Sequence, residues 1–256
     1  MYFQDAGSPA AKTIVLLHGG GLSSRMWQPQ IEKLAERYHV LAPDLPEHGQ
    51  SRDITPFRLE DATQRVADLI RTHSTNGKAH IAGLSLGGPV VLNLLRTAPE
   101  LVDHALVTGG AAKLDRFVGR LSIYMLWMIK FYSPQSLVNT MMKQQGIPEE
   151  YRSLFEQDLI HSTGEAFNRT LLTELMDMQL PEKIHKPLLV CVGQNETFTA
   201  KSQAKKLLRL YPSAMGVEIR GVGHVWNLQQ PELFTRVLQN WVEDRPLPSE
   251  LKRLLA

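Results

Sequence analysis

The chain has 256 residues, 28 Lys and Arg against 26 Asp and Glu, nine His and one Cys, and 43% of its residues are apolar or aromatic. That length carries one large domain, with room for an inserted subdomain and ample material for a buried core. A net charge of +2 spread over this length gives no electrostatic case for nucleic acid or an anionic membrane, and a single Cys excludes a disulfide framework or a Cys-cluster zinc site.

Met1 to Ala11 lacks a basic stretch followed by an apolar one, and Asp5, Gly7 and Pro9 interrupt it, so no signal peptide is expected. Thr13 to Leu17 is a continuous apolar run ending at His18-Gly19-Gly20-Gly21, as in strands buried on both faces of a parallel sheet. Trp27, Ile31, Leu34, Ala35 and Tyr38 then recur at helical spacing. Val40 to Ala42 is a second strand run, stopped by Pro43. Leu59, Ala62, Val66, Leu69 and Ile70 form another helical stripe, His80 to Leu84 a strand, Pro89 to Ala98 an apolar helix, and Ala105 to Val107 a strand ending at Gly109-Gly110.

The alternation breaks between Ala111 and about Glu182, a stretch of helical character rich in Met and aromatics. It resumes with a strand at Leu188 to Val192, a helix through Ala204 and Leu208, a strand at Val217 to Ile219, and a last helix carrying Phe234, Val237, Leu238, Trp241 and Val242. Strands alternating with helices predict βαβ units and a mainly parallel sheet. The expected organisation is a core of residues 1–111 and 183–256 with a helical cap, 112–182, inserted between two strands. The tail from Arg245, with Pro246 and Pro248, is expected on the surface. The most apolar uncharged run, Leu121 to Ile129, is too short to span a bilayer. The expectation is a cytoplasmic protein without a membrane span, either monomer or homodimer.

Open α/β sheets place their sites at the carboxyl ends of strands, and three segments stand there. Gly83-Leu84-Ser85-Leu86-Gly87 is a G-x-S-x-G between a strand and an apolar helix. A sharp strand-to-helix turn strains the central residue, needs small neighbours, and lifts the Ser85 hydroxyl clear of the sheet. It also aims the helix N-terminus and the Leu86 N–H at any oxyanion formed there. The glycines after His18 let a second backbone N–H approach the same point, while His18 itself reads as a buttress of that loop. Gly221-Val222-Gly223-His224, after the last parallel strand, offers a base for the serine. The acid that orients this imidazole reads as Glu196, at the end of the strand Leu188 to Val192, with Asp115 as the alternative.

Taken together these segments resemble an α/β-hydrolase over essentially the whole chain. The resemblance rests on His18 to Gly21, Trp27, Ala42-Pro43-Asp44-Leu45-Pro46, His48-Gly49-Gln50-Ser51, the Ser85 elbow, the Gly193 turn and Gly223-His224. It implies a triad of Ser85, His224 and Glu196 under a helical cap, an oxyanion hole made by the N–H groups of Gly20 and Leu86, and no metal or organic cofactor. Two positions depart from the pattern: Glu196 stands where the family usually has Asp, and Glu47 where it usually has Gly. Asp44 and His48 read as structural. Ser85 argues against haloalkane dehalogenases and epoxide hydrolases, which carry Asp at the elbow. The absence of Pro after the glycines sets the chain apart from many carbon–carbon hydrolases and proline iminopeptidases.

The expected activity is that of a serine carboxylesterase acting on small to medium, mainly apolar esters. Lactone, thioester or carbon–carbon cleavage and perhydrolysis on the same triad remain open, as does a non-catalytic ligand-binding protein of this fold. Of the apolar residues between 112 and 182, Tyr124, Trp127 and Met128 are expected to contact substrate. Cys191, inside a strand run, reads as an unreactive core residue.

Overall fold

The computed structural model describes every residue except 111–112 and 162–163. Eight strands form one sheet: β1 Phe3–Ala6, β2 Thr13–Leu17, β3 His39–Pro43, β4 Ala79–Leu84, β5 Val102–Thr108, β6 Leu188–Gly193, β7 Met215–Ile219 and β8 Lys252–Arg253. They lie in the order β1-β3-β2-β4-β5-β6-β7-β8. The six central strands run parallel, and the two edges, β1 on β3 and β8 on β7, are antiparallel. All six runs expected as strands are strands. The two edge strands were not expected, and the C-terminal tail, although exposed, adds β8 to the sheet.

The helices are α1 Gln28–Leu34, α2 Leu59–His73, α3 Gly87–Thr97, α4 Arg116–Met125, α5 Pro134–Gln145, α6 Arg152–His161, α7 Glu165–Asp177, α8 Phe198–Leu210, α9 Trp226–Gln229 and α10 Pro231–Val242. Alternation along the strands sorts the core into two layers. Val15 and Leu17 of β2 share one layer with Val66 of α2, Val90 of α3 and Leu207 of α8; Ile14 and Leu16 share the other with Leu34 of α1 and Phe234 and Leu238 of α10. Because both faces are covered, every β2 residue is buried, which is why the strand reads as an unbroken apolar run. Four helices, α4 to α7, stand between β5 and β6; the expected boundary between 111 and 112 falls outside the described residues.

Phe234 is the keystone of the second layer, its ring 5.3 Å from Trp27 and 4.5 Å from Trp226. Phe234→Ala removes that wedge from a site with no solvent exposure, and the expected loss is about 3–5 kcal/mol of unfolding free energy, read from the urea midpoint at unchanged slope.

Candidate active site

Strand order reverses about β2, so β3 and β4 diverge on either side of it and the carboxyl ends of β2, β4, β5, β6 and β7 open into one crevice. Ser85 follows β4 directly, with φ of +52°, the left-handed conformation rare for a side-chain-bearing residue. Its N–H donates to Thr108 O at the end of β5 (2.9 Å) and its carbonyl accepts from Gly88 N (3.0 Å), so the turn is pinned at both ends. The small neighbours are required sterically. A Cβ on Gly83 would lie 2.4 Å from the Gly87 carbonyl oxygen, and one on Gly87 2.4 Å from Leu17 O on β2.

The loops after β6 and β7 bring the acid and the imidazole together. Gln194 N donates to Ile219 O and Asn195 N to Val222 O, both at 2.8 Å, and Gly221 N donates to Gln194 Oε1 at 2.9 Å. This stitching sets the Glu196 carboxylate oxygens 3.1 and 3.2 Å from His224 Nδ1. Asp115, the alternative acid, is occupied elsewhere: its carboxylate caps α4, accepting from the N–H groups of Phe117 and Val118. The imidazole and the elbow border the same space. A Cβ on Gly109 would lie 2.8 Å from His224 Cε1 and 3.5 Å from Ser85 N. Among the described residues no hydrogen bond joins Ser85 Oγ to the ring, the loose geometry common before substrate binds.

The loop after β2 is held by buried, neutral histidines. Leu45 N donates to His18 Nε2 (2.9 Å), which leaves the proton on Nδ1 to be donated to Gly19 O (2.8 Å). Burial lowers the His18 pKa to about 4. His48, 4.9 Å away ring to ring, is pushed down to about 3, chiefly by burial and then by His18. Asp44 receives N–H groups of Ser24 and Gln50, each at 2.7 Å. Glu47 adopts φ of +64°, the left-handed region that favours glycine, and its carboxylate accepts from Phe57 N (2.8 Å), a structural tie. Burial pushes the Cys191 thiol up, in line with an unreactive core residue.

Two cavities flank the elbow and meet at Gly110 and Gln203. One of about 340 Å³ holds Gly20, Ser85 and Leu86, and its walls include Leu114, Met141, Phe167 and Leu171. The other, about 450 Å³, lies beside Glu196 and His224 and reaches Lys143 and Gly146. The structure therefore gathers Ser85, His224, Glu196, Gly20 and Leu86. It does not bring Tyr124, Trp127 and Met128 to them: all three are exposed and line neither cavity. Their place is taken by α7, whose Leu171, Leu172 and Leu175 form one wall. The apolar periodicity of that helix was the available signal.

Gln229 carried no such signal. Its Oε1 accepts from Gly223 N, next to His224, and its Nε2 donates to Gly146 O at the end of α5, both at 2.7 Å. One amide thus ties the His224 loop to the segment between β5 and β6. Among the described residues no cluster of His, Cys, Asp or Glu could hold a metal ion.

An elbow serine on a mainly parallel eight-stranded sheet, with an imidazole and carboxylate at neighbouring strand ends, defines the architecture of the α/β hydrolases. The chain belongs to the alpha/beta hydrolase family, whose model matches residues 14–237. It is 26% identical to an AB hydrolase superfamily protein of Gibberella zeae over 96% of this chain and 85% of the relative. It is also 26% identical to the pimeloyl-[acyl-carrier protein] methyl ester esterase of Nitrosomonas europaea, over 86% and 92%. Among solved structures the enol-lactonase from Burkholderia xenovorans LB400 superposes with a TM-score of 0.79 at 20% identity, covering 94% of this chain and 96% of that one.

Two outcomes follow for the scaffold. Gln229→Ala removes both amide bonds and should speed hydrogen exchange at the Gly223 amide, with about 1–3 kcal/mol lost from global stability. His18 and His48, together with His80, which burial lowers to about 4, are neutral when folded but titrate near 6.5 when unfolded. Below 6.5 the unfolded chain binds protons that the folded chain refuses, so stability is full above 6.5 and lost as pH falls toward about 4 for His18 and His80 and about 3 for His48. Each histidine contributes a slope of about 1.4 kcal/mol per pH unit. Urea midpoints that stay flat between about pH 7 and pH 5 would contradict neutral burial.

Proposed function

We propose that this protein is a serine hydrolase of carboxylic esters working through an acyl-enzyme. His224 takes the Ser85 proton as Oγ attacks the ester carbonyl. The N–H groups of Gly20 and Leu86 hold the oxyanion, a contribution of about 3–4 kcal/mol per donor in the transition state. Protonated His224 gives its proton to the departing alkoxide, and water activated by the same ring then frees the acid. Glu196 fixes the ring orientation and balances its charge. The observation that carries the reading is the Glu196 carboxylate 3.1 Å from His224 Nδ1 beside a serine at φ +52°. The N–H groups of Gly20 and Leu86 fit the oxyanion role because both residues line the Ser85 cavity.

The substrate reading rests on that cavity. None of its lining residues is charged, and beside Ser85 its polar side chains are Asn168 and Gln203, which suits a neutral, largely apolar acyl group of modest size. We assign residues 1–111 and 183–256 to the core and 112–182 to a cap that closes the crevice. The esterase names among the relatives favour carboxylic esters.

The test is turnover of chromogenic esters, lactones and thioesters with fluorophosphonate labelling in parallel. Ser85→Ala should lower kcat by at least about a thousandfold and abolish labelling, and Glu196→Gln should lower kcat by roughly ten-thousandfold with KM little changed. Full activity in Ser85→Ala removes the reading. A wild type that neither labels nor turns over would instead be a binding protein.

A further inference from the structure

The segment around α4 holds apolar side chains in water. Phe117, Leu121 and Tyr124 recur at i, i+4 and i+7, and Met128 and Phe131 follow in the next turns. Phe117 is 77% exposed, Tyr124 73% and Phe131 69%. Gly119 is the one buried residue of α4; it lies against Met176 of α7, so the helix packs on α7 and turns its aromatics outward. A cluster of exposed apolar side chains of this kind marks an interaction surface.

Along the segment itself the charge is one-sided. Residues 113–132 carry Lys113, Arg116, Arg120 and Lys130 against one acid, Asp115, and Asp115 is engaged in capping α4. Arg116 pairs with Asp177 of α7 (2.9 Å). The net charge of the whole chain conceals this local excess. Exposed Trp, Tyr and Phe beside Lys and Arg on a short amphipathic helix is the composition of segments that lie in a lipid headgroup layer, with the basic residues drawn to anionic lipid. A second copy of the chain fits less well, because a two-fold contact would set this basic strip against itself. The segment also adjoins the wall of the cavity. Leu114, just ahead of α4, and Leu171, Leu172 and Leu175 of α7 line the space beside Ser85.

We propose that α4 and the turn after it seat the protein on an anionic lipid surface and present the Ser85 cavity to esters held there. The presentation of esters rests on the function proposed above; the docking does not. The test uses Ser85→Ala protein, so that no lipid is consumed, sedimented with phosphatidylglycerol–phosphatidylcholine vesicles and with pure phosphatidylcholine. Binding to the anionic vesicles, weakened by salt, is expected. Partitioning should fall at least about tenfold when Phe117→Ser, Leu121→Ser and Phe131→Ser are combined, with circular dichroism unchanged. The proposal is overturned if the parent protein stays in the supernatant, or if the triple variant pellets equally well. It also fails if size-exclusion chromatography shows a dimer that the triple variant dissolves and that ignores vesicles. Hydrolysis of a soluble ester by the wild type, run alongside, decides the catalytic reading independently.

Discussion

The site is held together by one ionisable contact kept almost out of water. The Glu196 side chain is 2% exposed and that of His224 21%. A carboxylate that deep needs a hydrogen-bond donor, which His224 Nδ1 supplies, and removing the imidazole would leave it uncompensated, at about 3–5 kcal/mol. The geometry of the pair follows from the sheet. β6 and β7 are adjacent and parallel, with Gly193 level with Ile219, so their following loops emerge side by side and can bond to each other. An antiparallel neighbour would have sent the two loops to opposite ends of the molecule.

Burial then separates the histidines of the scaffold from the one proposed as the base. His18 and His48 sit inside, neutral, with both ring nitrogens of His18 engaged by Leu45 N and Gly19 O and Nδ1 of His48 by Pro46 O. They position the loop that carries Gly20 and are unsuited to exchanging protons with a substrate. His224 differs because one ring nitrogen meets a carboxylate while the ring edge borders the crevice beside Gly109. The same side chain serves opposite purposes, and the difference lies in solvent access and in what the second nitrogen meets.

The sheet and the centre of the site were legible because they obey short-range rules. Strands covered on both faces leave unbroken apolar runs, and a strained elbow leaves its glycines at fixed spacing around Ser85. What was not legible depends on contacts distant in the chain. Phe3–Ala6 and Lys252–Arg253 are short edge strands with one open side, so they carry no apolar run. Gln229 is defined by a backbone oxygen 83 residues away. Tyr124, Trp127 and Met128 were assigned to the pocket from composition, yet apolar content alone does not tell which side of a helix faces inward. Gly119 against Met176 settles that for α4. Glu47 shows the converse case: the departure from glycine is visible in the sequence, while the left-handed backbone and the bond to Phe57 N that accommodate it are not.

The helices between β5 and β6 are anchored unequally, and this gives α4 its distinct standing. α5 is tied to the His224 loop through Gly146 and Gln229. α6 is tied to the loop after β2 through Asp158 and Ser23. α7 is tied to the start of α2, where Glu174 accepts from Leu59 N (2.7 Å) and meets Arg58 (3.0 Å). Among the described residues α4 has no such bond to the sheet or its flanking helices; beyond itself its polar contact is Arg116 with Asp177 on α7, and the preceding Leu114 N also bonds to α7, at Leu175 O (3.0 Å). A force applied to α4 by a lipid surface would therefore pass first to α7, the helix whose Leu171, Leu172 and Leu175 wall the Ser85 cavity. The outward aromatics and the inward leucines belong to two layers of one stack, so the proposed docking and access to the cavity would share a mechanical path without sharing a residue of the proposed catalytic group.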